Sequence, residues 1–347
     1  MVGDMPNKKR AYVDIIKEIS EFRGTKKISR ELPLKKFNVL IGKNNSGKST
    51  LLEALLLTVG YMFNKGVIRD YSKKLFSEDN RRPLPIEPIT GDSILKFLEN
   101  RHRNLQSLVY GYTGVSKITV SLKMLDTLSI HLFHDGRVQV RLSTPRSQEI
   151  MDNVSSQVDV VYFPYDTSFI RTIDRFLETS EVNIVKRKIH TKTAKLVSEN
   201  IDENFTEIVL KKDGWYLRRD DASYIHIDDV GDGLKKAIRT IMTVELLNPS
   251  LILWDDFDTS LHPSMIKMLL KWLAQGEWQV VLATHSIDVL YYLADLNEEL
   301  DEFDAQLILL KKDQTDTLYH KELNMDELED ILEANLDPRM LVSELKI

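Results

Sequence analysis

The chain has 347 residues, 42% of them hydrophobic and 29% charged, a balance that buries a core and excludes a disordered or low-complexity protein. It has no cysteine, which excludes disulfides, thiolate metal sites and cysteine nucleophiles and points to a reducing, cytoplasmic compartment. The net charge of −6 argues against a protein that coats DNA with its whole surface, while leaving room for local basic patches. Length favours two coupled lobes. No apolar run approaches the ~18 residues of a membrane span, and Met1 to Pro6, followed by Lys8-Lys9-Arg10, leads into no signal-peptide core, so no membrane association is expected.

In chain order, Ala11 to Ile19 alternates as a strand, Phe22-Arg23-Gly24 reads as a turn, and Phe37-Asn38-Val39-Leu40-Ile41 is an apolar strand running into Gly42-Lys43-Asn44-Asn45-Ser46-Gly47-Lys48-Ser49-Thr50. That loop fits the pattern G-x-x-x-x-G-K-[ST]. Its glycines let backbone N–H groups turn around phosphate oxygens, and the apolar helix Leu51 to Leu57 points its positive end at the same place. Lys48 is expected to bridge the β- and γ-phosphates of ATP and Ser49 to ligate Mg²⁺, with Gly42, Asn44, Asn45, Ser46, Gly47 and Thr50 completing the loop. A glycine turn before a helix can also serve packing alone, but the strand before and the buried helix after supply the context a phosphate loop requires. Arg23 is a candidate for reaching the nucleotide from the side, and equally a solvated turn residue.

From Asn64 to Ser116 the patterning weakens around a proline-rich loop, Arg81 to Pro88, and part of a short helix, Ile94 to Leu98. Three period-2 runs come next (Ile118, Val120, Leu122; Leu128, Ile130, Leu132; Val138, Val140, Leu142), with His134-Asp135-Gly136 as a turn, and predict an antiparallel meander. Val158 to Phe163 reads as a strand, Phe169 to Asn200 as mostly helical, and Ile208 to Leu217 as a hairpin about Asp213-Gly214. After Gly233 the chain alternates helix with buried strand and closes on a strand at Gln306 to Leu310 and a charged helix at Met325 to Leu332.

A phosphate loop needs a second carboxylate for Mg²⁺. Leu251-Ile252-Leu253-Trp254-Asp255-Asp256 is a buried strand ending in two acids; acids there are also common as simple strand-end solvation. Two neighbouring stretches add weight: Asp258-Thr259-Ser260-Leu261-His262-Pro263, and a second buried strand, Gln279 to Ala283, ending in Thr284-His285-Ser286. Alone, a histidine at such a place is commonly satisfied by a neighbouring carbonyl.

The segment Asp255 to Pro263 resembles the D-E-P-E-x-x-L-H-P stretch of ABC-type ATPases, and Thr284-His285-Ser286 resembles their switch-histidine strand end. The likeness is strongest to the soluble SMC-like, RecF-like and OLD-like members of the AAA proteins. Val230-Gly231-Asp232-Gly233-Leu234-Lys235-Lys236 resembles their degenerate signature motif, and Asn248-Pro249-Ser250 precedes the strand of Asp255 as N-P often does in them. The resemblance implies an α/β fold: an ABC-type head with a mostly parallel central sheet, an antiparallel β subdomain and an inserted helical arm. It divides the chain into a nucleotide lobe (1–63), an insert (64–227) and a segment (228–347) carrying signature, Walker B and switch histidine. By the same resemblance Asp255 is the Mg²⁺ carboxylate, Asp256 stands at the catalytic glutamate and His285 senses the γ-phosphate. Gly231, Asp232 and Gly233 would face the ATP of a second copy, giving a homodimer with nucleotide sandwiched in it. Taken alone, those glycines read equally as a helix cap.

Three departures from the family pattern shape the expectation. Asp256 is shorter than glutamate by about 1.5 Å, which predicts slow hydrolysis. Gly231 replaces the signature serine and Asp232 adds a negative charge. No Q-loop glutamine is found in Pro164-Tyr165-Asp166-Thr167-Ser168. The residues after His285 are too few for a Toprim nuclease. Basic clusters at Lys26-Lys27, Lys35-Lys36, Arg81-Arg82, Arg101-His102-Arg103 and Lys186-Arg187-Lys188, with Lys192 and Lys195, are candidates for nucleic-acid contact or plain solubilising charge. The resulting expectation is an ATPase working on DNA, in repair, chromosome maintenance or phage defence. The alternative is a nucleotide-gated module that switches a protein partner such as an effector or nuclease subunit.

Overall fold

A computed structural model describes residues 12–60, 91–123, 125–143, 160–164 and 170–342. The predicted loop Arg81 to Pro88, the segment Tyr165 to Ser168, and the predicted starts at Ala11, Val158 and Phe169 lie outside these residues. Strands β1 (Val13–Phe22), β2 (Thr25–Ile28), β3 (Leu32–Pro33) and β4 (Phe37–Ile41) precede helix α1 (Lys48–Leu55), which continues as a π-helical stretch to Gly60. Helix α2 (Gly91–His102) leads into β5 (Val115–Leu122), β6 (Leu125–Phe133) and β7 (Val138–Leu142). Next come β8 (Val160–Phe163), helices α3 (Ile170–Thr179), α4 (Glu181–Lys186) and α5 (Ile189–Ser198), and strands β9 (Phe205–Lys211), β10 (Gly214–Arg219) and β11 (Tyr224–His226). The remainder is α6 (Asp232–Leu247), β12 (Leu251–Trp254), α7 (Pro263–Gln275), β13 (Gln279–Ala283), α8 (Ile287–Glu299), β14 (Ala305–Lys312), β15 (Thr317–Leu323), α9 (Met325–Glu333) and α10 (Pro338–Leu341).

One sheet runs β7-β6-β5-β1-β2-β15-β14-β4-β13-β12-β8. Its parallel portion is β14-β4-β13-β12-β8, with Phe37 opposite Val280 and Ala305, and Leu251 opposite Gln279 and Val160. These strands are apolar on both faces because both faces are covered, as parallel sheets require. Alternation divides their side chains between two cores: Val39, Ile41, Ile252, Trp254 and Leu282 face the layer of α6, α7 and α8, while Leu40, Leu251, Leu253 and Val281 pack with Leu51, Leu52 and Leu55 of α1. Helix α1 is thus apolar nearly all round, with Glu53 as its one buried acid.

The predicted meander forms as β5-β6-β7 and is joined to β1, so it continues the large sheet antiparallel. The buried Gln279 of β13 ties the start of β1 to the parallel strands: its Oε1 accepts from the Val13 N–H at 2.9 Å and its Nε2 donates to the Val13 carbonyl at 2.8 Å. The predicted hairpin is present as β9-β10 and gains β11 as a third strand of a separate antiparallel sheet. Strand β8, within the expected insert, pairs parallel with β12, so the insert supplies a strand of the central sheet. Strands β2 and β15, which pair with each other, carry too many charged and polar residues to show a strand pattern in the sequence.

Candidate nucleotide site

Strands β4, β13 and β12 are parallel neighbours, so their C-terminal ends carry the Gly42 to Thr50 loop, Thr284 to Ser286, and Asp255 to Asp258 to the same edge of the sheet. Ligands of open α/β sheets bind at such edges. In the loop, Asn45 (φ 63°) and Gly47 (φ 100°) take left-handed backbone, which turns the chain back into α1. A Cβ on Gly42 would run into Ser46 Oγ and the carbonyl of Leu310, so the loop closes only because that position has no side chain. Asn44 and Asn45 are exposed, whereas Ser46 and Thr50 are buried. Lys48 is 6% exposed, and its ammonium donates to the carbonyls of Gly42 at 2.9 Å and Lys43 at 3.3 Å. Burial lowers its pKa, and Asp256, Asp255 and Asp258 hold part of it back.

These residues fit a phosphate group and a hard divalent cation. Ser46 Oγ is buried without a hydrogen-bond partner, and no side chain caps α1 at Gly47, leaving polar atoms of the loop for a ligand. The Ser49 hydroxyl lies beside Asp255 and favours its charged form, bringing together two oxygen donors of the type Mg²⁺ prefers.

Asp255 is 1% exposed. Its N–H donates to the Phe163 carbonyl at 2.9 Å, and its Oδ2 receives the Tyr162 hydroxyl at 3.4 Å. Burial raises its carboxyl pKa; Ser49 and Arg101 counter this and Asp256 adds to it. Burial likewise drives Tyr162 far above its usual range. Asp256 comes next in left-handed backbone, φ 45°, a conformation that sets its carboxylate apart from that of Asp255. His285 is exposed rather than satisfied inside the fold. It is held through its main chain, its N–H donating to Asp258 Oδ1 at 3.3 Å and its carbonyl receiving Arg339 Nη1 at 2.9 Å. Asp258 also accepts the hydroxyl of Thr284.

Lys236 was absent from the sequence-derived site. From α6 its ammonium donates to the carbonyls of Asp256 (3.3 Å), Phe257 (2.9 Å) and Thr259 (3.0 Å), fastening the loop that carries Asp256. Desolvation brings its pKa down to about 8 from 10.5, against the pull of Asp258 and Asp256. The folded protein therefore releases this proton before the unfolded chain does, so stability from this group rises with pH between about 8 and 10.5. Relative to Lys236→Met, the wild type should gain up to about 3 kcal/mol across that window, read from denaturation midpoints at pH 7.5, 8.5 and 9.5; a wild-type-minus-variant stability that falls with pH would contradict the assignment.

A second unforeseen group lies behind the loop. Glu53, 0% exposed on α1, accepts Arg101 Nε at 2.8 Å on Oε1 and bonds His102 Nε2 at 2.8 Å through Oε2, and the same Oε2 forms an ion pair with Arg23 Nη1 at 3.1 Å. Those bases pull its pKa down despite the opposing cost of burial. Arg101 also reaches Asp255 Oδ2 with Nη2 at 3.5 Å. Arg23 is therefore neither a freely solvated turn residue nor aimed only at ligand: its left-handed turn (φ 52°) turns the guanidinium toward Glu53. Arg101 and His102, read from the sequence as an exposed basic cluster, are committed internally. Arg187 is too, donating to the carbonyls of Glu245 and Leu246 at 2.6 Å each. Lys26, Lys27, Lys186, Lys188, Lys192 and Lys195 remain exposed, and Arg81-Arg82 lies outside the described residues.

Gly231 N-caps α6 in extended backbone, and both it and Asp232 are exposed. A Cβ on Gly231 would meet nothing, whereas one on Gly233 would strike the Ser260 carbonyl, so Gly233 lets α6 pack against the loop after Asp258. A cavity of about 460 Å³ opens there, lined by Gly231, Asp232, Gly233, Ser260 and His262 among others. Among the described residues, no group of three or more acids and histidines has the form of a metal centre, and no helix is long and apolar enough to cross a membrane.

Residues 99–290 match the family described as "AAA domain, putative AbiEii toxin, Type IV TA system", and residues 17–100 match the AAA ATPase domain family. No curated protein sequence matches the chain. Among solved structures, the Smc head domain of Pyrococcus furiosus, bound to the C-terminal domain of ScpA, is similar at a TM-score of 0.59 and 12% identity, over 94% of this chain and 99% of that one. The SMC head domain of Thermotoga maritima is similar at 0.50 and 12%, over 90% and 99%. The recombination mediator RecF with a bound ATP analogue is similar at 0.50 and 13%, over 91% and 99%. At such identities these likenesses are of fold: a P-loop head of mixed α/β class.

Proposed function

The chain belongs to the AAA-domain family matched over residues 99–290 and is an ABC-type P-loop ATPase; from that premise we propose that two copies close around ATP and Mg²⁺ to act on DNA. The observation that carries this reading is the meeting of Lys48, Ser49, Asp255, Asp256 and His285 at the ends of three adjoining parallel strands. In it the loop's N–H groups and Lys48 hold the β- and γ-phosphates, Ser49 and Asp255 hold the cation, and Asp256 orients the attacking water. Arg23, beside Glu53, borders the site without being its principal phosphate ligand. Mg²⁺, held by Ser49 and Asp255, would supply the positive charge that offsets negative charge on the transferring group. Asp256, short for a water-polarising acid, makes turnover slow. His285 meets the γ-phosphate from the end of β13.

The exposed Gly231 and Asp232 at the start of α6 supply the face that meets a second copy's nucleotide, with helix N–H groups directed outward. The division into a nucleotide lobe (1–63), an insert (64–227) and a returning lobe (228–347) belongs to the same reading, as does a cytoplasmic setting. The exposed lysines of α4 and α5 are the surface offered to DNA in repair or phage defence. A second reading, a nucleotide-gated module that switches a protein partner with little turnover, is favoured by Asp256 and by the internal use of Arg101 and Arg187. The matched family's description as a toxin–antitoxin component fits either.

Asp256→Asn, which slows hydrolysis while keeping the loop, should move the protein from monomer to dimer on size exclusion when ATP is added. An unchanged elution volume would count against the sandwich. DNA binding titrated with salt, with and without ATP, separates the two readings: affinity should fall steeply with salt, and no binding at low salt in either state would leave the protein-partner reading.

A further inference from the structure

We propose that Arg101, held by Glu53, is a positioning residue for the metal carboxylate Asp255. This inference rests on the reading of Asp255 as a Mg²⁺ ligand and goes beyond it by giving helix α2 a part in the site.

Glu53 lies five positions after Lys48 on the helix that the phosphate loop begins, and is fully buried there. It therefore moves with the loop. Its Oε1 takes Arg101 Nε at 2.8 Å, fixing the plane of a guanidinium that is 10% exposed. The same guanidinium extends Nη2 to Asp255 Oδ2 at 3.5 Å, the oxygen that Tyr162 also approaches at 3.4 Å. The Tyr162 hydroxyl and the Arg101 charge on one oxygen restrict rotation of a carboxylate that sits at a strand end, and Ser49 lies close enough to favour its charged form. A planar guanidinium can serve two carboxylates at once, which an ammonium cannot do with comparable geometry. Outer partners of metal ligands act in this way, orienting a group they do not replace. Arg23 and His102 occupy the other oxygen of Glu53, so the post on which Arg101 rests is itself fixed from two sides.

The test compares ATP affinity by calorimetry in EDTA and in Mg²⁺ for wild type, Arg101→Gln, Arg101→Lys and the double variant Glu53→Gln/Arg101→Gln, which removes one charge of each sign and so leaves the net charge of the cluster unchanged. Mg²⁺ should tighten ATP binding by the wild type. Arg101→Gln should lose about tenfold or more of that tightening while its affinity in EDTA stays unchanged. Arg101→Lys should restore part of it, and the double variant should show the same loss, deciding the matter if the single variant does not fold. An undiminished tightening in the variants, or equal weakening with and without metal, would overturn the role of Arg101. Absence of tightening in the wild type would instead overturn the reading of Asp255, and this inference with it.

Discussion

Lys48→Ala is expected to reduce phosphate release from ATP by about 10²–10³-fold, the range found when one preorganised donor to a developing oxyanion is removed. The side chain is 6% exposed and already gathered against the loop by the carbonyls of Gly42 and Lys43, so little ordering is needed when phosphate binds. It also faces Asp255, Asp256 and Asp258, whose charges favour its protonated form against desolvation. Alanine leaves those three carboxylates beside a polyanionic substrate without that cation. Phosphate release measured with nucleotide binding checks this: binding and turnover should both fall, while the melting temperature without nucleotide changes little. Turnover within about tenfold of wild type, well short of that range, would count against the role given to Lys48.

Glu53→Ala should cost about 3–5 kcal/mol of stability, the range for breaking a buried ion pair by removing one partner. Three bases from two separate segments, Arg23, Arg101 and His102, converge on this carboxylate, and alanine leaves them without it in a largely buried region. The pH dependence comes from the lowered pKa of Glu53. The group contributes stability above the ordinary glutamate range and loses it as pH falls through the depressed folded value. The gap between wild type and variant in urea denaturation should accordingly be full at pH 7 and shrink on acidification below pH 4.5, the ordinary glutamate value. A variant within about 1 kcal/mol of wild type at pH 7 would show that the cluster is not a structural keystone.

The contrast between these two residues shows what a sequence exposes. Lys48 was legible because its chemistry is contiguous: apolar strand, glycine loop and apolar helix occur in one stretch, and β4, β12 and β13 are buried throughout and mainly apolar, as doubly covered strands must be. The role of Glu53 was hidden because its partner Arg101 lies 48 residues away, beyond any periodic signal. The one clue was a charged residue alone in an apolar helix, which must find partners inside the fold. Lys236 escaped for a similar reason: it bonds carbonyls 20 to 23 residues on, and backbone acceptors have no side-chain signature. Arg101 and Arg187 show the converse error, since basic residues read from sequence as surface charge became internal ties once the helices packed. The meander and the β9-β10 hairpin were legible from alternation and the Asp213-Gly214 turn, whereas β15 forms chiefly by pairing with β14 across a long antiparallel register.

The central claim is that Asp255 and the phosphate loop together make a metal-dependent ATP-hydrolysing site. Its most direct measurement is steady-state phosphate release from ATP by wild type and Asp255→Asn at pH 7.5, with Mg²⁺ and with EDTA. The account predicts slow release by the wild type that requires Mg²⁺ and is lost in Asp255→Asn. Equal release by the variant, or release that persists in EDTA, would contradict it.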